Sequence, residues 1–131
     1  MKKLEFQNNK YFVGNWTDVG KDHRGWFVGN FFEDGHPLKT KDVEVFYWEH
    51  QIGYKSEAHY HQEKVEVIIF LEGEAKYTIN GKQNILKAGD FIFIDSNNIV
   101  EGEYLKPSKI ISIHSPSILT DKILIKPASE I

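Results

Sequence analysis

The feature that most restricts this chain is the regular return of short, alternating apolar runs. From Val43 onward "VEVFYWEH", "VEVIIFLE", "EAKYTIN", "KQNILK", "FIFI", "IVEGEY", "KIISIHS" and "DKILIK" follow one another. They recur about every 8–12 residues with turn signals between them, a spacing that predicts a β-sandwich or barrel and not a βαβ fold. The apolar period is two, not the period of about 3.6 that an amphipathic helix shows. Asn80-Gly81 separates two of the runs, and both residue types tolerate positive φ, so a hairpin is expected there. Before residue 43 the pattern is weaker. "YFVGNW" and "RGWFVGNFF" read as short strands, "EDGHPLKTKD" reads as a loop, and no helix is expected. Pro107, Pro116 and Pro127 fall at strand edges or ends, where a missing N–H costs little.

Composition narrows the class of partner. A length of 131 residues predicts a single domain. Aromatic residues make up 14 %, which suits a β-rich core or an aromatic-lined pocket. A formal charge of −3 argues against a nucleic-acid surface. The absence of Cys excludes a disulfide framework and a thiolate metal site. "MKKLEFQNNKYF" begins with basic residues but has no continuous apolar stretch, and no run reaches the length of a membrane span. The expectation is a soluble, cytoplasmic chain with a small-molecule ligand and neither a nucleic-acid nor a membrane partner.

One stretch carries chemistry. "EAHYHQEKVEVIIFLEGE" sets His59 and His61 two residues apart and puts Glu66 near the start of the most apolar run. In a strand, residues i and i+2 share a face. The two imidazoles therefore point together. If Glu66 faces inward, so do Ile68 and Phe70, while Val65, Val67, Ile69 and Leu71 take the other face. A carboxylate inside a barrel is costly unless it is paired or bound to a cation. Two imidazoles and a carboxylate meeting at one point suit Fe, Zn, Mn, Ni or Cu, with positions left open for water or substrate. Taken alone, a His-x-His pair more often decorates a polar surface, and Glu66 would then face solvent.

The surroundings extend the pattern. Gly53, five residues, His59-x-His61, four residues, Glu66, six residues and Gly73 together resemble the first sequence motif of the cupin superfamily at every anchor. The resemblance implies an all-β fold, a cupin-like double-stranded β-helix or jelly-roll barrel, over residues 43–115. The remainder of 1–131 then divides into N-terminal strands and loops at 1–42, which extend the barrel, and a C-terminal strand within 116–131. The second motif of the family is degenerate. Gly89-Asp90 and "FIFI" match its opening, but "DSNNIVE" stands where Pro, Gly and a metal-binding His belong. At direct spacing Val100 takes the His position. A turn one residue longer gives it to Glu101, and that register is favoured if Asn98 supplies the positive-φ turn residue.

The implied metal set is therefore His59, His61, Glu66 and Glu101, holding a divalent transition-metal ion such as Fe, Mn, Ni or Zn. His114 is an outside candidate and reads as a barrel-wall or surface histidine. His23, His36 and His50 read as surface or structural, and Trp26, Phe27, Phe31 and Phe32 as core or dimer contacts. Tyr47, Trp48, Tyr77, Phe91 and Phe93 are the pocket-lining candidates. Three functions fit the resemblance. The first is a metal-dependent enzyme of dioxygenase or isomerase type acting on a small metabolite. The second is a non-catalytic module binding a small molecule or sugar. The third is a metal-independent sugar-nucleotide epimerase or isomerase, with His59 or His61 as base beside Glu66. The apolar character of both faces of 65–71 adds the expectation of a homodimer.

Overall fold

The structure, a computed structural model, describes residues 8–125. Residues 1–7 and 126–131, which include Pro127 and the outer ends of the expected domain, lie outside the described residues. Among the described residues ten strands form two five-stranded sheets. The first has the order β1 (Trp26–Val28), β2 (Glu44–His50), β9 (Ser108–Ser115), β4 (Val65–Glu72), β7 (Phe91–Ile94). The second has the order β10 (Lys122–Leu124), β3 (His59–His61), β8 (Val100–Tyr104), β5 (Glu74–Ile79), β6 (Lys82–Lys87). Every pairing is antiparallel, and chain neighbours such as β3 and β4 lie in opposite sheets. This is the expected double-stranded β-helix barrel.

The core lies between the sheets. Ile68, Phe70, Ile94 and Ile110 from the first sheet meet Ala75, Tyr77, Leu86, Val100 and Tyr104 from the second. On β4 the burial alternates, with Glu66, Ile68 and Phe70 buried and Val65, Val67 and Ile69 half-buried. Both faces of this strand were apolar in the sequence, yet only one is enclosed among the described residues.

Backbone conformation explains the turns. Asn80 (φ 51°) and Gly81 (φ 85°) close the β5–β6 hairpin in the left-handed region, as expected. Gly73 (φ 99°) joins β4 to β5 against the chain before β9, where an added Cβ would meet Pro107 O at 2.6 Å. In the "DSNN" turn the left-handed residue is Asn97 (φ 65°), not Asn98. The longer register expected there is thereby corrected, and Val100 rather than Glu101 enters β8 facing inward.

The N-terminal region departs from the expectation. The run "YFVGNW" forms no strand: residues 11–15 carry no regular structure, and a short helix, α1 (Trp16–Gly20), begins at its last residue. Asn15 caps it, accepting from the N–H groups of Thr17 and Asp18. Trp16 stacks on Tyr47 with ring centroids 5.2 Å apart, which holds α1 against the outside of β2. No helix among the described residues is long and apolar enough to cross a membrane.

Candidate metal centre

Strand register places the cluster. Glu44 pairs with His114 across β2 and β9, and His114 pairs with Glu66 across β9 and β4. Directly opposed residues share a face, so Glu44, His114 and Glu66 form a row across three strands, all buried. The facing sheet supplies His59 and His61, whose side chains both turn inward while Tyr60 between them turns outward.

Within this row the contacts are short. His114 Nε2 lies 2.8 Å from Glu66 Oε2, which also accepts from the Ser112 hydroxyl at 2.9 Å. His114 Nδ1 lies 3.6 Å from Glu44 Oε1, an ion-pair distance but too long for a hydrogen bond. Lys64, itself buried, forms an ion pair with Glu44. Positive and negative groups thus alternate from Lys64 through Glu44 and His114 to Glu66. Burial by itself would raise the Glu66 carboxyl, but the hydrogen bond and charge of His114, with Ser112, hold it at about 2. Burial would lower His114, but Glu44 and Glu66 raise it to about 9.

The two motif histidines are held differently. His59 Nδ1 donates to Glu57 O at 2.8 Å, and His61 Nδ1 donates to Asp121 O at 3.0 Å. A proton fixed on Nδ1 leaves the lone pair on Nε2, the tautomer that a metal-ligating histidine needs. Burial lowers His61, with Glu66 partly opposing it. Asp121 also shapes the turn that follows. Its carboxylate accepts from the backbone N–H groups of Gln62, Glu63 and Lys64 at 3.0, 2.9 and 2.9 Å. Those bonds more than offset the effect of burial and hold its carboxyl below the usual range.

His61, Glu66 and His114 each offer a ligand atom within 4.8 Å of the others. Imidazole nitrogens with one carboxylate oxygen fit a divalent transition metal. His59 stands beside this group, its ring centroid 5.3 Å from that of His61. Of the residues expected as ligands, the fold therefore brings together His61 and Glu66 and leaves His59 beside them. Glu101 does not join them. Strand alternation turns it to the exposed face of β8, among Lys55, Lys76 and Gln83, while Val100 is 2 % exposed and pairs with His59. His114, read from the sequence as a wall residue, stands in the cluster instead. The available signal was the alternation of "KIISIHS", which puts His114 on the same face as Ser112 and Ile110.

The lumen is a cavity of about 330 Å³. Trp48 and Tyr77 line it, as expected. Tyr47 does not; it faces outward under Trp16. Phe91 and Phe93 do not either, being 67 % and 56 % exposed, because Ile92 and Ile94 occupy the inward positions of β7. Trp26 and His50 line the lumen in their place, and the ring of Trp26 stands edge-on to His114 at 5.3 Å. A larger groove of about 550 Å³ runs outside the barrel between α1 and β2, but none of the clustered histidines or Glu66 borders it.

Three comparisons place this geometry. Residues 46–101 match a family model described as a cupin domain. No curated protein matches the sequence. Among solved structures, the chain is similar to an uncharacterized conserved protein with a double-stranded beta-helix domain from Klebsiella pneumoniae, at 24 % identity and a TM-score of 0.60, covering 67 % of this chain and 78 % of that one. It is similar to an RmlC-like cupin from Shewanella frigidimarina, at 20 % identity and TM-score 0.58, with 61 % and 71 % covered. It is also similar to the DMSP lyase DddQ from Ruegeria pomeroyi, at 20 % identity and TM-score 0.62, with 73 % and 49 % covered.

The pKa directions give a pH dependence. His114 is raised from 6.5 to about 9, so its stabilising contribution is complete below about 6.5 and disappears as pH rises through 9. His50 is lowered by burial from 6.5 to about 4, so its preference for the neutral form disfavours the fold as pH falls across that interval. The melting temperature of chelator-treated protein should therefore peak near pH 6.5 and fall by pH 9.5. His114→Gln should flatten the alkaline limb, and an unchanged limb in that variant would refute the assignment.

Proposed function

We propose that the lumen of this barrel, whose residues 46–101 match a cupin-domain model, holds a divalent transition-metal ion and presents it to a small metabolite, as a metal-dependent enzyme of dioxygenase or isomerase type. The observation that carries this reading is the buried convergence of His61, Glu66 and His114. His59 and His61, each anchored through Nδ1, aim their Nε2 lone pairs inward. Ser112 fixes the Glu66 carboxylate from the wall. Such an ion supplies Lewis-acid chemistry to an oxygen-bearing substrate. Trp26, Phe46, Ile68 and Ile110 keep the surroundings apolar, which limits water around the reacting group.

Purified protein should carry about one ion per chain, and added Fe, Mn, Ni or Zn should raise the melting temperature of chelated protein by mass action. Glu66→Gln and His114→Gln should each weaken metal retention about tenfold or more. Glu101→Gln should leave it unchanged. Elemental analysis that finds no metal, together with no thermal gain from any of the four ions, sinks this reading.

A second reading rests on the His114–Glu66 contact at 2.8 Å with Glu44 on the other side of the ring. A histidine oriented by carboxylates is the arrangement of a general acid–base, and a metal-independent sugar-nucleotide epimerase would use it. Chelated protein should then wash solvent deuterium into a sugar nucleotide. No exchange across the common nucleotide sugars rejects it.

We propose also that a second copy covers the outer face of the first sheet, where Phe91 and Phe93 stand exposed on its edge strand beside Val67 and Ile69. Light scattering should give a dimer mass, and Phe93→Glu should shift it toward the monomer. A monomer for the unaltered chain refutes this.

A further inference from the structure

Two cations line the lumen with no ion-pair partner among the described residues. Lys122 is the direct cross-strand partner of His61, so its side chain leaves β10 on the lumen side beside that imidazole. Arg24 stands at the rim in a left-handed backbone conformation, φ 54°, and borders both the lumen and the outer groove. Neither forms an ion pair among the described residues. Lys64, by contrast, is paired with Glu44.

A hydroxyl proton points to the same space. Tyr77 and Tyr104 share one hydrogen bond of 2.7 Å between their hydroxyl oxygens. Two O–H groups and one bond leave one proton over. No other acceptor serves either hydroxyl among the described residues. Tyr77 is 7 % exposed and lines the lumen, while Tyr104 is 1 % exposed and lies behind it. The arrangement that strands no proton in the core has Tyr104 donating to Tyr77 and Tyr77 donating into the lumen. Gly102 gives the ring its room, since a Cβ there would meet the Tyr77 ring at 2.8 Å.

We propose that the lumen ligand carries a small oxyanion, a carboxylate or a phosphate, whose charge is met by Lys122 and Arg24, while an acceptor on the ligand's body takes the Tyr77 proton. The proposal rests on the reading of the lumen as the functional site. It does not depend on the metal, because all three groups belong to the chain and none is in the histidine–carboxylate cluster. It also explains why a pocket with Trp26, Phe46 and Ile110 on its walls keeps two unpaired cations at its opening. The apolar walls receive the body of the ligand and the cations receive its charged end.

The test uses the full chain, once treated with chelator and once saturated with Mn²⁺. Each form is titrated with acetate, L-lactate, succinate and phosphate, and with acetamide and lactamide as neutral controls. Trp26 and Trp48 line the lumen, so intrinsic fluorescence reads binding, and calorimetry checks it. At least one anion should bind about tenfold tighter than the neutral amides. Whether phosphate or a carboxylate is preferred identifies the source of the oxyanion. Lys122→Met and Arg24→Met should each weaken that binding about fivefold or more, with the melting temperature unchanged, because both positions are exposed. Tyr77→Phe should weaken it while leaving the salt dependence intact. Lack of preference for any anion over the amides overturns the proposal, as does full affinity in Lys122→Met. Anion preference in a protein that retains no metal refutes only the metal reading. Metal retention with no anion preference refutes only this one.

Discussion

A charge buried in a β-barrel has to be answered, and the answer given to Glu66 organises this molecule. Glu66 is 8 % exposed, and its carboxylate takes hydrogen bonds from His114 and Ser112. His114 then needs its own counter-charge and finds Glu44, and Glu44 in turn is paired with Lys64. Each member would be costly alone, since an unpaired buried ion is strongly destabilising. Together they tie β2, β9 and β4 into one register. A one-residue slip of β9 would turn His114 and Ser112 away from Glu66 and bring Ile111 and Ile113 into the lumen.

The second constraint is Asp121, far along the chain from the histidine it serves. Its backbone carbonyl fixes the His61 ring and its carboxylate gathers three consecutive N–H groups of the turn after β3. That turn carries the chain from one sheet to the other, so the same residue sets the separation of His61 from Glu66. The segment that holds Asp121 leads directly into β10, whose Lys122 lies beside His61. Binding geometry and the closure of the barrel are therefore consequences of one short segment.

Much of the fold was legible in the sequence. The alternating runs became β2 and β4 to β10, because a period of two with punctuation by turn residues leaves few other options. Asn80-Gly81 behaved as its residue types require. The helix at Trp16–Gly20 has only a capping signal in the sequence, Asn15 followed by Asp18, because five residues give too little apolar periodicity to register. Phe91 and Phe93 suit a lumen by residue type, but the inward phase of β7 belongs to Ile92 and Ile94. Glu101 was preferred over Val100 because the left-handed residue of the preceding turn was placed at Asn98 and not Asn97. An error of one position in a turn inverts every side chain of the strand after it.

By itself the sequence determined the strand content, the hairpin, and the pairing of His59 with His61 and their closeness to Glu66. All of these rest on local rules, in which alternation and spacing decide direction. Only the tertiary structure decided that His114, Glu44, Lys64 and Asp121 belong to the same site, and that Lys122 and Arg24 open onto it. Those residues come from the approach to β1, from β2, from the turn between β3 and β4, from β9 and from the start of β10, and the physical reason is register. Which residue faces which across a sheet depends on long-range pairing that no local pattern in a single chain encodes.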